Sequence, residues 1–270
     1  MSGSTALRLT GKDALSLLHR IGTQAVADLA PGEARATLFC DFRGRLLHRV
    51  LIGVGADHAV WLLRDDAPGA QLAAFIDRHI FRDQVRIEDR SEALAVYWVP
   101  GDDRLATNAF SEANGVPVGL RIGNETLRAV AIAPGPDDLA RIRAGRPAHG
   151  HEIAAAFHPF EVGLAHEVHL DKGCFTGQEA LMRLVTYQSV RRRLARVGGA
   201  GAAPAVPTDL TAEAQAAGVL TSAVADGDRW IGLAVVRNEA CDPPRALAIA
   251  GGGITGVIEP LPRTRPLGRG

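Results

Sequence analysis

Short apolar runs separated by turn residues are the feature that most constrains how this 270-residue chain folds. Residues 33–64 contain strand-like runs that are interrupted at 42–44 (FRG) and 55–57 (GAD), the pattern of antiparallel hairpins. Two more strands are predicted at 85–91 (VRIEDRS) and 93–99 (ALAVYWV). Because these runs follow one another without a regular βαβ rhythm, the sequence favours an α+β fold over a doubly wound sheet.

Four segments have helical periodicity. The first covers residues 10–29, with Thr10 as a possible N-cap, and the others are 66–83, 136–145 and a long stretch at 178–194. The end of this long helix would carry a basic cluster, which suits the negative end of the helix dipole. Binding of a phosphate or a polyglutamate tail is the alternative role for the cluster. Its members are Arg191, Arg192, Arg193 and Arg196.

The C-terminal part of the sequence has a different character. A stretch rich in small residues and proline at 198–208 (GGAGAAPAVPT) indicates a linker or loop. The apolar runs beyond it predict a small all-β module, a barrel or a sandwich. They are 218–224, 229–236, 246–250 and 256–261. Residues 251–256 (GGGITG) match G-x-G-x-x-G, but no helix can follow, so a glycine hairpin is predicted. The tail, 262–270, is expected to be disordered.

Charge and cysteine content exclude several classes of protein. Thirty basic side chains balance thirty acidic ones, so no net charge attracts the chain to nucleic acid or an anionic membrane. No secretory signal or membrane span is recognisable. The three cysteines, Cys40, Cys174 and Cys241, are few and far apart. They indicate a reducing, cytoplasmic setting and are too few for a resident iron–sulfur cluster.

Five of the nine histidines fall between positions 149 and 169. Two pairs within this stretch have spacings that divalent metals accept, but no HExxH motif is present. Polar loop histidines are therefore the favoured interpretation, and no metal site is predicted. The five are His149, His151, His158, His166 and His169.

The octapeptide KGCFTGQE (172–179) holds the most reactive candidate side chain. Glycines lie on both sides of Cys174, which indicates a tight turn, and a predicted helix begins just after Gly177. The positive end of the helix dipole and the nearby Lys172 both favour a thiolate. The alternative is that Cys174 is a small, buried apolar residue, as lone cysteines commonly are.

The octapeptide resembles the K-G-C-[YF]-x-G-Q-E motif of the YgfZ family, folate-binding proteins of iron–sulfur cluster assembly and repair. The hairpin sequence FCDFRGRLLHRV and the strand DRWIGLAVVR are also similar to segments of that family. The resemblance implies the fold of the glycine-cleavage aminomethyltransferase, with two interleaved α+β subdomains that form a folate pocket and a small C-terminal β-barrel. The implied boundaries are 1–192 for the folate-binding region and 193–265 for the barrel.

The same resemblance implies site residues and partners. Cys174 and Lys172 take the catalytic positions, and the pterin of tetrahydrofolate is expected to meet Glu161 and the remaining motif positions. Those positions are Gly173, Thr176, Gly177, Gln178, Glu179 and Arg183. The implied protein is a monomeric cytoplasmic accessory factor with iron–sulfur client or assembly proteins as partners. Whether it is an enzyme stays open, and a folate-dependent C1 transferase of the aminomethyl type is the alternative.

Four positions depart from the patterns of these families. Glu167 stands where a glycine is usual in the YgfZ family, and Leu170 stands where an aromatic residue is common. Aminomethyltransferases carry aspartates at the end of the hairpin strand, one of which serves the substrate amine, and here the matching positions are His48 and Arg49. We therefore expect no aminomethyl transfer, although a shift of the alignment by a few residues would bring Asp41 into that role.

Overall fold

The computed structural model describes residues 3–132, 134–243, 245–249 and 254–268, and it contains three antiparallel sheets. The helices are α1 (Ala14–Ile21), α2 (Gly69–Asp77), α3 (Asp138–Arg143), α4 (Gln178–Thr186) and α5 (Asn238–Cys241), with a short 3-10 turn at Ala165–Glu167. The strands are β1 (Thr5–Thr10), β2 (Ala34–Cys40), β3 (Leu46–Val54), β4 (Val60–Arg64), β5 (Arg86–Asp89), β6 (Ala95–Trp98), β7 (Ala109–Ala113), β8 (Val116–Ile122), β9 (Glu125–Val130), β10 (Arg192–Ala200), β11 (Thr208–Ala212), β12 (Gln215–Asp226), β13 (Arg229–Arg237), β14 (Ala246–Ile249) and β15 (Ile254–Pro260).

The first sheet has five strands in the order β2-β3-β4-β1-β5. The predicted hairpin turns at 42–44 and 55–57 are confirmed, because they join β2 to β3 and β3 to β4. The Thr10 cap is wrong. Residues 5–10 form β1, which pairs with both β4 and β5, and α1 instead begins after Asp13. Helices α1 and α2 bury their apolar sides, among them Leu17 and Phe75, in one cluster with this sheet.

The second sheet contains β6-β9-β8-β7 and packs against the first. Strands β7 and β8 meet at Asn114-Gly115, where both residues have positive φ angles of 53° and 73°, as a type I′ hairpin requires. An isolated bridge between Glu33 and Ala109 links the edges of the two sheets. Trp61, Leu63, Phe110 and other apolar side chains fill the space between them.

The third sheet joins β10-β13-β12-β11-β14-β15 in that order, and β15 also pairs with β10. Part of the predicted long helix is wrong. Helix α4 ends at Thr186, and of the basic cluster Arg191 lies just before β10 while the other three arginines lie within it. Residues 198–200 of the predicted linker also belong to β10. The long-range pairing of β10 with two strands outweighs the local helical preference.

The expected disorder of the tail is wrong for the residues described. Leu267 exchanges backbone hydrogen bonds with Val168 and Leu170, and the Thr264 hydroxyl donates to the carbonyl of Gly163 at 2.9 Å. These bonds hold the chain end against the segment before the Cys174 loop. The glycine hairpin predicted at 251–256 includes 251–253, which lie outside the described residues.

None of the helices among the described residues has both the length and the apolar character needed to cross a membrane.

Candidate functional site

The loop that carries Cys174 is held in place at both ends. On one side, His19 at the end of α1 lies 3.0 Å from the carbonyl of Lys172, and the Lys172 ammonium returns a hydrogen bond to the carbonyl of His19. On the other side, the Gln178 side chain donates to the carbonyl of Leu170 at 2.7 Å. Phe175 is buried in the core, whereas Cys174 beside it is exposed. The loop therefore presents the thiol to solvent from a fixed backbone.

Gly177 is needed where α4 begins because the backbone of the β2–β3 turn lies against it. Its φ angle is +86°, and an added Cβ would come within 2.4 Å of the Asp41 carbonyl oxygen. Gly173 also has a positive φ, +110°, but the space around it is open. The turn predicted from the two glycines thus contains one position fixed by packing and one fixed by conformation alone.

The electrostatic surroundings of Cys174 differ from those of the other two cysteines. Burial lowers the pKa of Lys172 to about 8, although the nearby charge of a Cys174 thiolate opposes this shift. The Lys172 ammonium therefore lies close enough to the Cys174 sulfur to interact with its charge. Cys40 and Cys241 are buried, and burial raises the pKa of each thiol. Only Cys174 combines exposure with a neighbouring cation among the three cysteines.

The remaining candidate residues have varied surroundings. Thr176 is exposed, and Glu179 forms an exposed ion pair with Arg183 at 2.5 Å. Glu161 is buried away from the loop, where its carboxylate accepts hydrogen bonds from Arg192 at 2.6 Å and Arg45 at 3.4 Å. The structure brings together the residues of the octapeptide, but it does not bring Glu161 into contact with them.

A cavity of about 300 Å³ lies where the three sheets meet. The first sheet contributes Arg49, the second contributes Trp98 and Glu125, and the third contributes Leu194. The segments 144–147, 162–167 and 261–264 complete its wall. Apolar surface from Val162, Leu164, Leu194, Leu261 and Pro262 thus faces a small set of charged groups, the composition usual in small-molecule sites.

Arg49 is the centre of a buried ion network at this cavity. Its guanidinium donates to Glu167 at 2.6 Å and to Glu125 at 2.7 Å, and Arg146 joins Glu125 to Asp65. Burial alone would raise the pKa of Glu125, but Arg146 and Arg49 lower it to about 2. Glu125 is thus an anion that faces the cavity, and Glu167 lies on the other side of the same Arg49 guanidinium.

A second layer of polar groups supports the network. The backbone N–H of Arg49 and the Arg64 guanidinium both donate to Nε2 of His149, each at 3.1 Å. The proton of the His149 ring is therefore on Nδ1, which donates a hydrogen bond to the Asp66 carboxylate at 2.8 Å. His48 also lies beside Arg64, and burial, with a contribution from the arginine, lowers its pKa to about 4. His48 is therefore neutral at pH 7.

None of the residues that line this cavity, Trp98, Glu125, Arg146 and Glu167 among them, belongs to the site residues predicted from the sequence. Glu167 is noticed there only as a departure from the YgfZ pattern. Its partner is Arg49, itself a departure from the aminomethyltransferase pattern, and the two side chains form a buried ion pair. Charged residues at positions where the family patterns have other residues were the only signal in the sequence that could have pointed to this cavity.

The histidine-rich stretch forms no metal centre among the residues described, where no group of three or more potential ligands is suitably arranged. The Nδ1 of His151 lies 2.7 Å from the carbonyl of Thr221, and Nε2 of His158 lies 3.4 Å from Glu161. Together with His149, these side chains bind other parts of the protein.

Comparisons with known proteins agree with this architecture. None of the protein families compared matches the chain. A putative chloroplastic transferase of Arabidopsis thaliana is 23% identical over 301 residues, which cover 95% of this chain and 68% of the relative. The aminomethyltransferase of Acidobacterium capsulatum is 34% identical over 97 residues, covering 36% of this chain and 24% of its own length.

The glycine cleavage system aminomethyltransferase T from Bartonella henselae superimposes with a TM-score of 0.76. The match covers 99% of this chain and 86% of that protein at 17% sequence identity. The chain therefore has the aminomethyltransferase-like fold, a strand-rich mixture of α and β structure. Within this class, the Arabidopsis transferase is a distant relative along almost the whole chain.

Proposed function

We propose that this protein binds a reduced folate and supports the assembly or repair of iron–sulfur clusters in other proteins through Cys174. The observation that carries the proposal is the exposed thiol of the KGCFTGQE loop, held beside Lys172 by hydrogen bonds on both sides. The octapeptide resembles the motif of the YgfZ family, and the fold is one that this family shares. The protein is then an accessory factor whose partners are folate and iron–sulfur client or assembly proteins.

The cavity between the three sheets is the place that we propose for the pterin of tetrahydrofolate or a derivative. A pterin ring is flat, largely apolar on its faces and edged with N–H donors, so it suits apolar walls with a few acceptors. Leu194 and Leu261 supply apolar surface, while Glu125 and Glu167 supply acceptors. When bound, the folate would carry or accept a one-carbon unit. The protein groups orient the ring and exclude water from it.

The resemblance places the pterin beside Glu161 and the motif residues instead of in the three-sheet cavity. Variants of the two places distinguish these positions. Titration of the protein with monoglutamyl tetrahydrofolate in a calorimeter should show one binding site, and binding should raise the melting temperature by mass action. Trp98→Leu should weaken binding at the cavity, while Tyr187→Leu is the matched control because Tyr187 is an exposed aromatic residue just after α4. Weakening by Glu161→Ala alone would favour the position implied by the resemblance. An absence of binding would contradict the folate proposal.

Cys174 would act on a partner as a nucleophile, a redox thiol or a transient cluster ligand. An exposed thiolate suits each of these roles, because metal binding and nucleophilic attack both require the deprotonated sulfur. The fixed loop contributes orientation, and Lys172 contributes charge. We further propose that residues 1–192 form the folate-binding region as two interleaved subdomains, and that residues 193–265 form a small β-barrel.

Transfer of an aminomethyl group is the second candidate, because two of the relatives are named aminomethyltransferases. The residues at the matching hairpin positions disfavour it. Arg49 is a buried cation and His48 is neutral, so neither offers the carboxylate that would hold an ammonium substrate. Asp41 is already engaged, since its carboxylate accepts hydrogen bonds from the backbone of Arg43 and Arg45 at 2.8 Å.

The assay for this candidate follows ammonia and methylenetetrahydrofolate released from an aminomethyl donor in the presence of tetrahydrofolate. Loss of one charge-matched hydrogen bond in a desolvated site costs about 3–4 kcal/mol, which slows transfer by a factor of about 10²–10³. We expect no turnover above this level. Ordinary enzymatic turnover that Asp41→Asn abolishes would establish the transferase instead.

A further inference from the structure

A groove of about 1170 Å³ lies on the third sheet, apart from the three-sheet cavity and the Cys174 loop. One side is formed by the ends of β10 and β13, and the other by the segment 150–157 and by residues of β11 and β12. Apolar surface comes from Phe157, Val206, Pro207 and Val219. Neither Cys174 nor any residue of the three-sheet cavity lines this groove.

Three arginines converge on the groove. Arg192 and Arg237 are directly opposite each other on β10 and β13, and Arg191 precedes β10. Two like charges opposite each other on neighbouring strands destabilise a sheet. Arg237 and Arg191 are exposed, and neither has an ion-pair partner among the described residues. Among the described residues, no carboxylate therefore balances the charges of Arg191 and Arg237.

Arg192 is fixed in position for such a ligand. Its Nε donates to the buried carboxylate of Glu161 at 2.6 Å, and its guanidinium lies over the ring of Phe157 at 5.5 Å. The two Nη groups have no hydrogen-bond acceptor among the residues described, so they remain available at the groove. A guanidinium anchored in this way loses little conformational entropy when it binds a phosphate or carboxylate.

The opposite wall is also rigid. His151 at the groove is 2.7 Å from the carbonyl of Thr221, and the next residue, Glu152, is fully buried and accepts hydrogen bonds from Thr221 and Ser222. Two acids, Asp209 and Glu239, line the groove as well, so the three arginines leave an excess of positive charge. The groove is thus preformed, part apolar and cationic.

We propose that this groove binds a ligand that carries several anionic groups on an aromatic or apolar body. Planar guanidinium groups bind phosphate and carboxylate in the same bidentate manner. Two sources share this chemistry, namely a nucleoside polyphosphate and an aromatic compound with an oligo-γ-glutamate chain. The aromatic body would lie on Pro207 and Val219, and the anionic groups would meet Arg192 and Arg237.

Calorimetric titration of the full chain at about 150 mM salt tests the proposal with three probes: ATP, p-aminobenzoyl-tri-γ-glutamate and tripolyphosphate, which has no body. We expect one of the first two to bind at one site more tightly than tripolyphosphate, and the better ligand identifies the source. Arg237→Gln and Arg191→Gln should each weaken it by about tenfold, since hydrogen bonds to charged groups contribute about 1.5–3 kcal/mol. The control is Arg86→Gln, an exposed arginine on β5 of the first sheet.

Two further measurements show whether the variant is still folded and whether it still binds folate. Without ligand, Arg237→Gln should not lower the melting temperature, because it removes the repulsion from Arg192. Binding of monoglutamyl tetrahydrofolate should be the same in this variant as in the unchanged protein. Failure of all three probes to bind below millimolar concentration, or equal weakening by Arg86→Gln, would overturn the proposal.

Discussion

Cys174 and Lys172 determine the chemistry that single side chains bring to the proposed function. Cys174 is exposed and has a cation beside it, whereas the pKa of Cys40 and that of Cys241 are raised by burial. Because the pKa of Lys172 is about 8, its positive charge is largely present at pH 7 and is lost above pH 8. The activation of Cys174 should therefore weaken in alkaline solution.

Alkylation measures this activation directly. In the native protein, iodoacetamide should modify Cys174 alone, because Cys40 and Cys241 are buried. Lys172→Gln should slow the alkylation of Cys174 at pH 7, since the cation beside the thiol is lost. Mass spectrometry identifies the modified residue, and Cys174→Ala is the control that should abolish labelling. An alkylation rate that Lys172→Gln leaves unchanged would contradict the activation.

Arg49 and Glu167 are the most informative pair for the cavity. Each departs from the pattern of a family that the sequence resembles, and in the structure they are 2.6 Å apart and buried. Arg49→Leu would leave the Glu167 carboxylate without its main partner, and breaking a buried pair in this way costs about 3–5 kcal/mol of unfolding free energy. The double variant Arg49→Leu/Glu167→Leu should recover part of the loss, because no unpaired charge remains at position 167.

Urea unfolding of the four proteins in this cycle gives the coupling energy. A double variant that loses the sum of the two single losses would show that the residues act independently, against the geometry described here.

The hairpins of the first sheet could be predicted from the sequence, because alternating apolar residues and turn residues are local signals. Strands β7 and β8 were missed, although Asn114-Gly115 is the dipeptide that a type I′ hairpin favours. The end of α4 was not predictable in the same way. The local pattern favours a helix as far as residue 194, but the pairing of β10 with β13 and β15 determines the structure from Arg192 onwards.

Gly177 and Gly173 provide a matched pair of variants for the Cys174 loop. Gly173→Ala should cost about 1–3 kcal/mol, because alanine disfavours a positive φ angle but meets no neighbouring atom. Gly177→Ala should cost more, because its Cβ would also overlap the Asp41 carbonyl oxygen. Thermal unfolding gives the order of stability, and limited proteolysis between 172 and 177 reports movement of the loop. Equal stability of the two variants would contradict the close approach of the β2–β3 turn.

The three-sheet cavity shows what sequence reasoning could not supply for the whole molecule. Its walls come from positions as distant as Arg49, Glu125 and Leu261, and only the packing of the sheets brings them together. The octapeptide, by contrast, is continuous in sequence, so its loop and its exposed cysteine could be predicted. Glu161 illustrates the difference, since its partners Arg45 and Arg192 are remote in sequence.

The pH dependence of stability reports the buried histidines. Burial, with a contribution from two arginines, lowers the pKa of His158 to about 4, although Glu161 opposes this shift. His158 is therefore protonated below about pH 6.5 in the unfolded chain, but only below about pH 4 in the folded protein. Stability from this group is complete above pH 6.5 and falls by at most about 1.4 kcal/mol per unit as the pH drops towards 4.

Urea unfolding between pH 7 and 4.5 should show a shallower pH dependence in His158→Gln than in the unchanged protein. The exposed His166 provides the control, because His166→Gln should leave the slope unchanged. His48 also makes stability fall as the pH drops, whereas Asp65, whose pKa is raised by burial, acts in the opposite direction. Both residues are present in all the proteins compared, so their contributions cancel in the comparison. Identical slopes in the unchanged protein and His158→Gln would rule out a neutral buried His158.

The central claim concerns the role of Cys174 in supporting iron–sulfur proteins, and one measurement addresses it most directly. The activities of iron–sulfur enzymes are compared in cells that lack this protein and in the same cells supplied with the unchanged chain, Cys174→Ala or Cys241→Ala. We predict that the unchanged chain and Cys241→Ala restore these activities, and that Cys174→Ala does not, although its melting temperature and amount in the cell are nearly unchanged. Full restoration by Cys174→Ala, or unimpaired iron–sulfur enzymes in cells that lack the protein, would contradict the account.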